Sequence, residues 1–190
     1  MKNIFFLLFF VISCKSYTQQ TIVPLRTYTV IPENAGYYKK DTNNELQAFE
    51  GTWKGTWNNK TIFITFQKIV NKYDGTFKYN RDYIAGKFKT LDGNGNILFD
   101  NTFLSGNEAK IEGIGFQNIT DKYLMIYVDN DLCGMSGGIE MTFANTAKTQ
   151  LNIYFDQRNQ ILDTDCYFYN YSPDQYPEPL PKDEIVLTKQ

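Results

Sequence analysis

The sequence predicts an all-β domain: an antiparallel up-and-down β-barrel of about eight to nine strands, with a β-sandwich as the alternative. Three observations carry this. Apolar residues alternate with period two in one segment after another. Clusters of turn-forming residues separate those segments at short intervals. No stretch holds a sustained helical period, apart from a short turn over residues 44–49. Composition agrees, since 42% of the 190 residues are apolar and 16% aromatic. That is enough to bury one core, and it is rich in the residues that pleated surfaces favour.

Residues 14–44 are polar, carry Pro24, Pro32 and Gly36, and read as a tether and lead-in to a domain spanning 45–190. Within the domain, Thr61–Phe66 aligns Ile62, Ile64 and Phe66 on one face, and Tyr83–Lys89 aligns Ile84 and Phe88. Asp92–Asn96 is a turn cluster, followed by a strand over Ile97–Phe103. Lys110–Gln117 and Tyr123–Asp129 come next, the latter aligning Leu124, Ile126 and Val128. Ile139, Met141 and Phe143 alternate, Asn145–Lys148 turns the chain, and Leu151, Ile153 and Phe155 alternate on the return. Ser172–Pro181 holds four prolines, so it reads as an extended crossing segment and not as a central strand. A last strand is expected over Glu184–Thr188.

The N-terminus reads as an address. One cation, Lys2, precedes an unbroken apolar run from Ile4 to Ile12. The run is shorter than the ~20 residues that span a bilayer, so it fits the core of a secretory signal. Val11-Ile12-Ser13-Cys14 resembles the bacterial lipobox. The resemblance implies a signal peptide over 1–13, cleavage before Cys14 and acylation of its thiol, which would place the protein in the cell envelope, held to a membrane. An ordinary signal peptide cut near Tyr17-Thr18-Gln19 is the alternative. If Cys14 carries lipid, Cys133 and Cys166 remain. In an oxidising compartment they are expected to pair, the alternative being two separate buried thiols.

Phe49-Glu50-Gly51-Thr52-Trp53-Lys54 resembles the first strand of lipocalins and fatty-acid-binding proteins. There a Gly-x-Trp follows a short helical turn, and the indole closes the barrel floor. The resemblance implies a lipocalin-like barrel with Gly51, Trp53, Gly55 and Trp57 as its floor. Trp57 shares the face of Trp53, and Gly55 between them is expected to leave room for both rings.

A second resemblance covers more of the chain. Lys40-Asp41 with Asn44-Glu45-Leu46, Gly51–Trp57, Arg81–Gly86 and Pro181–Gln190 look like pieces of an uncharacterised family of small exported bacterial proteins. It implies one family domain and no assigned activity.

Little here suggests chemistry. The chain has no histidine, which removes Ser-His-Asp triads, Cys-His pairs and ordinary zinc sites. The net charge is −2, and no basic patch stands out, so nucleic acid is not expected as a partner. Asp129-Asn130-Asp131-Leu132-Cys133-Gly134 with Glu140 nearly matches a calcium loop, but Cys133 stands where an oxygen ligand belongs. Asp163 and Asp165 alternate and read as solvated edge charges. The aromatic run Cys166–Tyr171 is expected to be a strand buried on both faces, with exposed rings that meet sugars or a partner protein as the alternative. No enzyme, cofactor or metal is expected.

Two functional readings remain. In one, a small apolar or amphipathic ligand sits in a cup lined by Ile64, Phe66, Phe88, Ile153 and Phe155. In the other, side chains fill the barrel and its loops meet an envelope partner. A histidine-free hydrolase stands behind both.

Overall fold

The computed structural model describes residues 19–190, so the expected signal segment over 1–13 and the expected acylation site Cys14 lie outside the described residues. Eleven strands form one sheet: β1 (Thr21–Pro24), β2 (Tyr37–Lys40), β3 (Gly51–Trp57), β4 (Lys60–Asp74), β5 (Tyr79–Leu91), β6 (Ile97–Asp100), β7 (Ile111–Phe116), β8 (Tyr123–Asp129), β9 (Met135–Phe143), β10 (Gln150–Gln157) and β11 (Ile185–Lys189). Eight of them close into an antiparallel barrel in the order β3-β4-β5-β7-β8-β9-β10-β11, with β11 returning to β3. Neighbours around the ring follow one another in sequence, as expected of an up-and-down meander. β6 lies beside the upper part of β5, off the ring, and β2 and then β1 add in parallel beside its start.

Local chemistry sets the turns. Asn58 and Asn59 both take positive φ, 42° and 59°. That is the two-residue connection whose twist suits a hairpin, and asparagine tolerates it well. β4 and β5 run past the barrel as a long ribbon. Its register shifts between Ile69 and Lys72, where Asn71 has φ 51°, the mark of a bulge that re-aims the strand.

Inward rows come from the expected alternation: Trp53 and Trp57; Ile62, Ile64 and Phe66; Ile84 and Phe88; Leu151, Ile153 and Phe155 all belong to one buried core. One row differs. On β8 it is Tyr123, Met125 and Tyr127 that face the core, and Leu124, Ile126 and Val128 form the outer face. Several of the large rings sit over glycines of adjacent strands. A Cβ on Gly86, Gly113 or Gly137 would meet Phe66, Tyr123 or Phe155 at 2.9 Å or less. Pairing a large ring with a missing side chain fills a narrow barrel at native density.

Both ends are covered. At the floor, a 3-10 turn over Leu46–Phe49 lays Leu46 and Phe49 into the core, and Gly51 (φ 112°) bends the chain from that turn into β3. At the roof, residues 158–184 cross from β10 to β11 and bury Phe168 and Leu180. Cys166–Tyr171 is not a strand. Successive turns close from Cys166 to Asp163, Tyr169 to Cys166 and Tyr171 to Phe168, which bury Cys166 and Phe168 and leave Tyr167, Tyr169 and Tyr171 exposed. Residues 19–44 do more than tether. Leu25, Tyr38 and Asp41 are buried against the floor end.

Candidate functional site

The two tryptophans stand at opposite ends of β3. Trp53 closes the floor: its Nε1 donates to the Phe49 carbonyl at 2.7 Å, and the Lys189 ammonium lies 5.2 Å from its ring. Trp57 lies under the roof, where Lys60 stands over its ring and pairs with Glu178 of the crossing segment. The Trp57 Nε1 is buried without a hydrogen-bond partner among the described residues. The space above Gly55 is not left for the rings. Leu187 and Ile185 of β11 fill it, and a Cβ there would lie 2.4 Å from Leu187 Cδ2.

The five residues expected to line a cup, Ile64, Phe66, Phe88, Ile153 and Phe155, are at most 2% exposed. Side chains so enclosed touch one another and offer no surface to a ligand. Tyr127 packs edge-on against Phe88 and Phe155 in the same interior. Burial pushes the hydroxyls of Tyr123 and Tyr127 well above the usual tyrosine range, so both stay neutral, and Tyr127 donates to Asp129 Oδ2 at 2.8 Å.

A polar network ties the lead-in to the barrel near the floor. Asp41 accepts from the amides of Glu45 (2.7 Å) and Leu46 (3.1 Å), capping the 3-10 turn, and pairs with Lys68 at 2.7 Å. Asp82 accepts from the Tyr38 hydroxyl (2.6 Å) and from the amides of Asn71 and Asp41. These are pieces of two of the quoted sequence motifs, brought together across 41 positions. The β5–β7 seam that closes the barrel has only two residue pairs. Buried Arg81 braces it, donating to the Gly113 carbonyl and to Glu112, while its Nε binds Asp74 at 2.6 Å. Burial alone would raise the Asp74 carboxyl; the Phe77 amide and the Arg81 guanidinium outweigh it and hold Asp74 below its usual range.

The calcium-loop residues are committed elsewhere. Lys110 bridges Asp129 and Asp131, Lys122 pairs with Glu140 at 2.6 Å, and Cys133 is bonded to Cys166. No group of three or more acidic or cysteine side chains suited to a metal occurs among the described residues. Asp163 and Asp165 sit in turns, with Asp163 accepting from the Asp165 amide at 3.0 Å. The disulfide fastens the roof segment to the β8–β9 connection, and Gln160 reinforces it by donating to the Leu132 and Cys133 carbonyls.

The open clefts lie outside the barrel. One of about 500 Å3 runs under the tip of the β4–β5 ribbon, between Phe77, Tyr83, Ile114 and Ile126, with Arg81 and Glu112 at its wall. A second, about 290 Å3, opens at the floor. Its aromatic base is Phe49 stacked on Phe143 (4.5 Å) beside Phe116, and Arg26 and Lys148 stand over the rings. Arg26 is already paired with Glu45 and Asp121. Sequence reasoning did not single out Arg26, Phe116 or Arg81 as cleft residues. Arg26 reaches Glu45 and Asp121, 19 and 95 positions away, and Arg81 reaches Glu112, 31 positions away, so no local pattern announces these contacts. No helix among the described residues is long and apolar enough to cross a membrane.

The profile of a family of unknown function (DUF6705) matches residues 1–190, and the chain belongs to that family. No curated protein and no solved structure matches it.

Proposed function

We propose that this family member is an exported, acylated protein of the cell envelope, without catalytic activity, whose solid barrel is a scaffold that presents its roof segment to a partner protein. The observation that carries the reading is the packing of the interior. The residues that would line a cup are enclosed, and both barrel ends are covered. Space for an apolar ligand would have to be made by displacing a close-packed core.

Three further features support it. Lys2, the apolar run Ile4–Ile12 and Ser13-Cys14 fit export and acylation at Cys14. A disulfide between Cys133 and Cys166 suits an oxidising compartment. Tyr167, Tyr169 and Tyr171 are exposed on a segment fixed by that disulfide. Exposed rings on a fixed backbone lose little entropy on contact and are favoured where proteins meet.

The test is native mass spectrometry of protein purified from its host's membranes, with palmitate labelling alongside. The expected mass is that of the acylated chain alone, with label on the wild type and none on Cys14→Ser. A small molecule that stays bound until the barrel unfolds would favour the other reading, an amphipathic ligand held among Ile64, Phe66, Phe88, Ile153 and Phe155.

A further inference from the structure

We infer that the floor end of the barrel rests on the lipid surface, with Val30 and Ile119 set among the headgroups, so that the roof segment faces away from the membrane. This rests on the proposed acylation of Cys14. Thr21 lies seven positions after Cys14, a span that reaches at most about 25 Å. Thr21 begins β1, which pairs with β2, which in turn pairs with β5 at Asn80 and Arg81, on the ribbon past the floor. The floor end therefore lies within one short tether of the membrane. The roof stands a barrel length beyond it, about 20 Å for strands of seven residues.

The surface at that end fits the role. Val30 is 96% exposed and Ile119 94%. They belong to one surface, because the lead-in is laced to the β7–β8 turn. Tyr28 Oη donates to the Gln117 carbonyl at 3.2 Å, and Arg26 donates to the Thr120 carbonyl at 3.0 Å and to Asp121 at 2.9 Å. Ile22 and Tyr28 of the same lead-in are also exposed. Ile119 has φ 66°, a conformation that β-branched residues strongly disfavour and that asparagine or glycine would hold more easily. Its side chain packs on nothing in the protein that would offset this. Aliphatic side chains with a neighbouring tyrosine suit the membrane interface.

Charge orients the molecule the same way. Residues 19–45 carry three cations (Arg26, Lys39, Lys40) and three anions (Glu33, Asp41, Glu45). Residues 158–184 carry two cations (Arg158, Lys182) against six anions (Asp163, Asp165, Asp174, Glu178, Asp183, Glu184). An anionic lipid surface repels the second end and is indifferent to the first.

The experiment uses the acylated full chain, disulfide intact, in vesicles of phosphatidylethanolamine and phosphatidylglycerol. An environment-sensitive fluorophore is placed at Val30→Cys, Ile119→Cys or, at the roof, Asp174→Cys, and read with and without doxyl-labelled lipid. Flotation is measured on the same samples. Quenching at the first two positions should exceed that at the third by about twofold or more, as expected of groups seated 5–10 Å into the headgroup region. Flotation with equal quenching at all three positions, or stronger quenching at Asp174→Cys, overturns the orientation and leaves the anchor standing. Protein that does not float overturns the anchor and the orientation together.

Discussion

Replacing Gly113 by alanine is the sharpest test of how this barrel closes. The seam between β5 and β7 has two residue pairs, Ala85 with Glu112 and Gly86 with Ile111. Just beyond it the β7–β8 register shifts between Gly113 and Gly115, and the Ile84 amide donates to Tyr123 Oη at 3.1 Å, where a longer ladder would supply a carbonyl. A Cβ on Gly113 would lie 2.3 Å from that oxygen and 2.8 Å from the ring. Tyr123 is fully buried and has nowhere to go. Overpacking costs about 1–3 kcal/mol. Withdrawing the hydroxyl from a buried amide adds about 1–3 kcal/mol, for a loss of about 2–6 kcal/mol. With a urea m-value of about 2 kcal/mol/M, the midpoint should fall by about 1 M or more. Gly138→Ala is the control: nothing lies within 4 Å of its Cβ, so it should stay within about 0.5 kcal/mol of wild type. In a Tyr123→Phe background the hydrogen bond is already gone and only the ring clash remains, so the same substitution should cost about 1–3 kcal/mol less. If Gly113→Ala unfolds at the same urea concentration as Gly138→Ala, the account of the seam is wrong.

Two more outcomes follow from the roof and the ribbon. Removing the disulfide with Cys133→Ser and Cys166→Ser opens a loop of 33 positions. On the chain-entropy model this lowers stability by about 3.7 kcal/mol, read as a lower urea midpoint, and adding reductant to the wild type should give a similar shift. Asp74 is held below its usual 3.8 by the Phe77 amide and Arg81 in spite of burial. A lowered folded-state pKa contributes stability that is complete above the unfolded value and lost as pH falls through the folded one. Wild-type stability should therefore drop more steeply below pH of about 4 than that of Asp74→Asn, and parallel curves for the two would refute the pairing.

How much was legible in the sequence depended on the range of the forces involved. Rows such as Ile62, Ile64, Phe66 and Leu151, Ile153, Phe155 announce themselves because a half-buried strand must alternate. Asp92–Asn96 is legible because Asp92 satisfies the amides of its own turn. β8 was only half legible: both of its faces carry large apolar residues, and periodicity alone cannot say which row faces in. The run Cys166–Tyr171 misled for a related reason. Tight turns there bury Cys166 and Phe168 and expose Tyr167 and Tyr169, an alternation that mimics a strand. The floor cleft and the Arg81 brace were not legible at all, because Arg26 reaches Asp121 and Arg81 reaches Glu112 only after the barrel has formed.

The stave that joins β10 to β3 is β11, and Lys54 pairs with Thr188, 134 positions further along. A chain synthesised from its first residue thus has no complete ring until Lys189 has emerged. Until then two long edges stand open, each a template for pairing with another unfinished copy. Contacts this distant in sequence also form slowly. Under the export proposed above, such lateness is useful: a chain that cannot finish early is still threadable when it reaches the membrane.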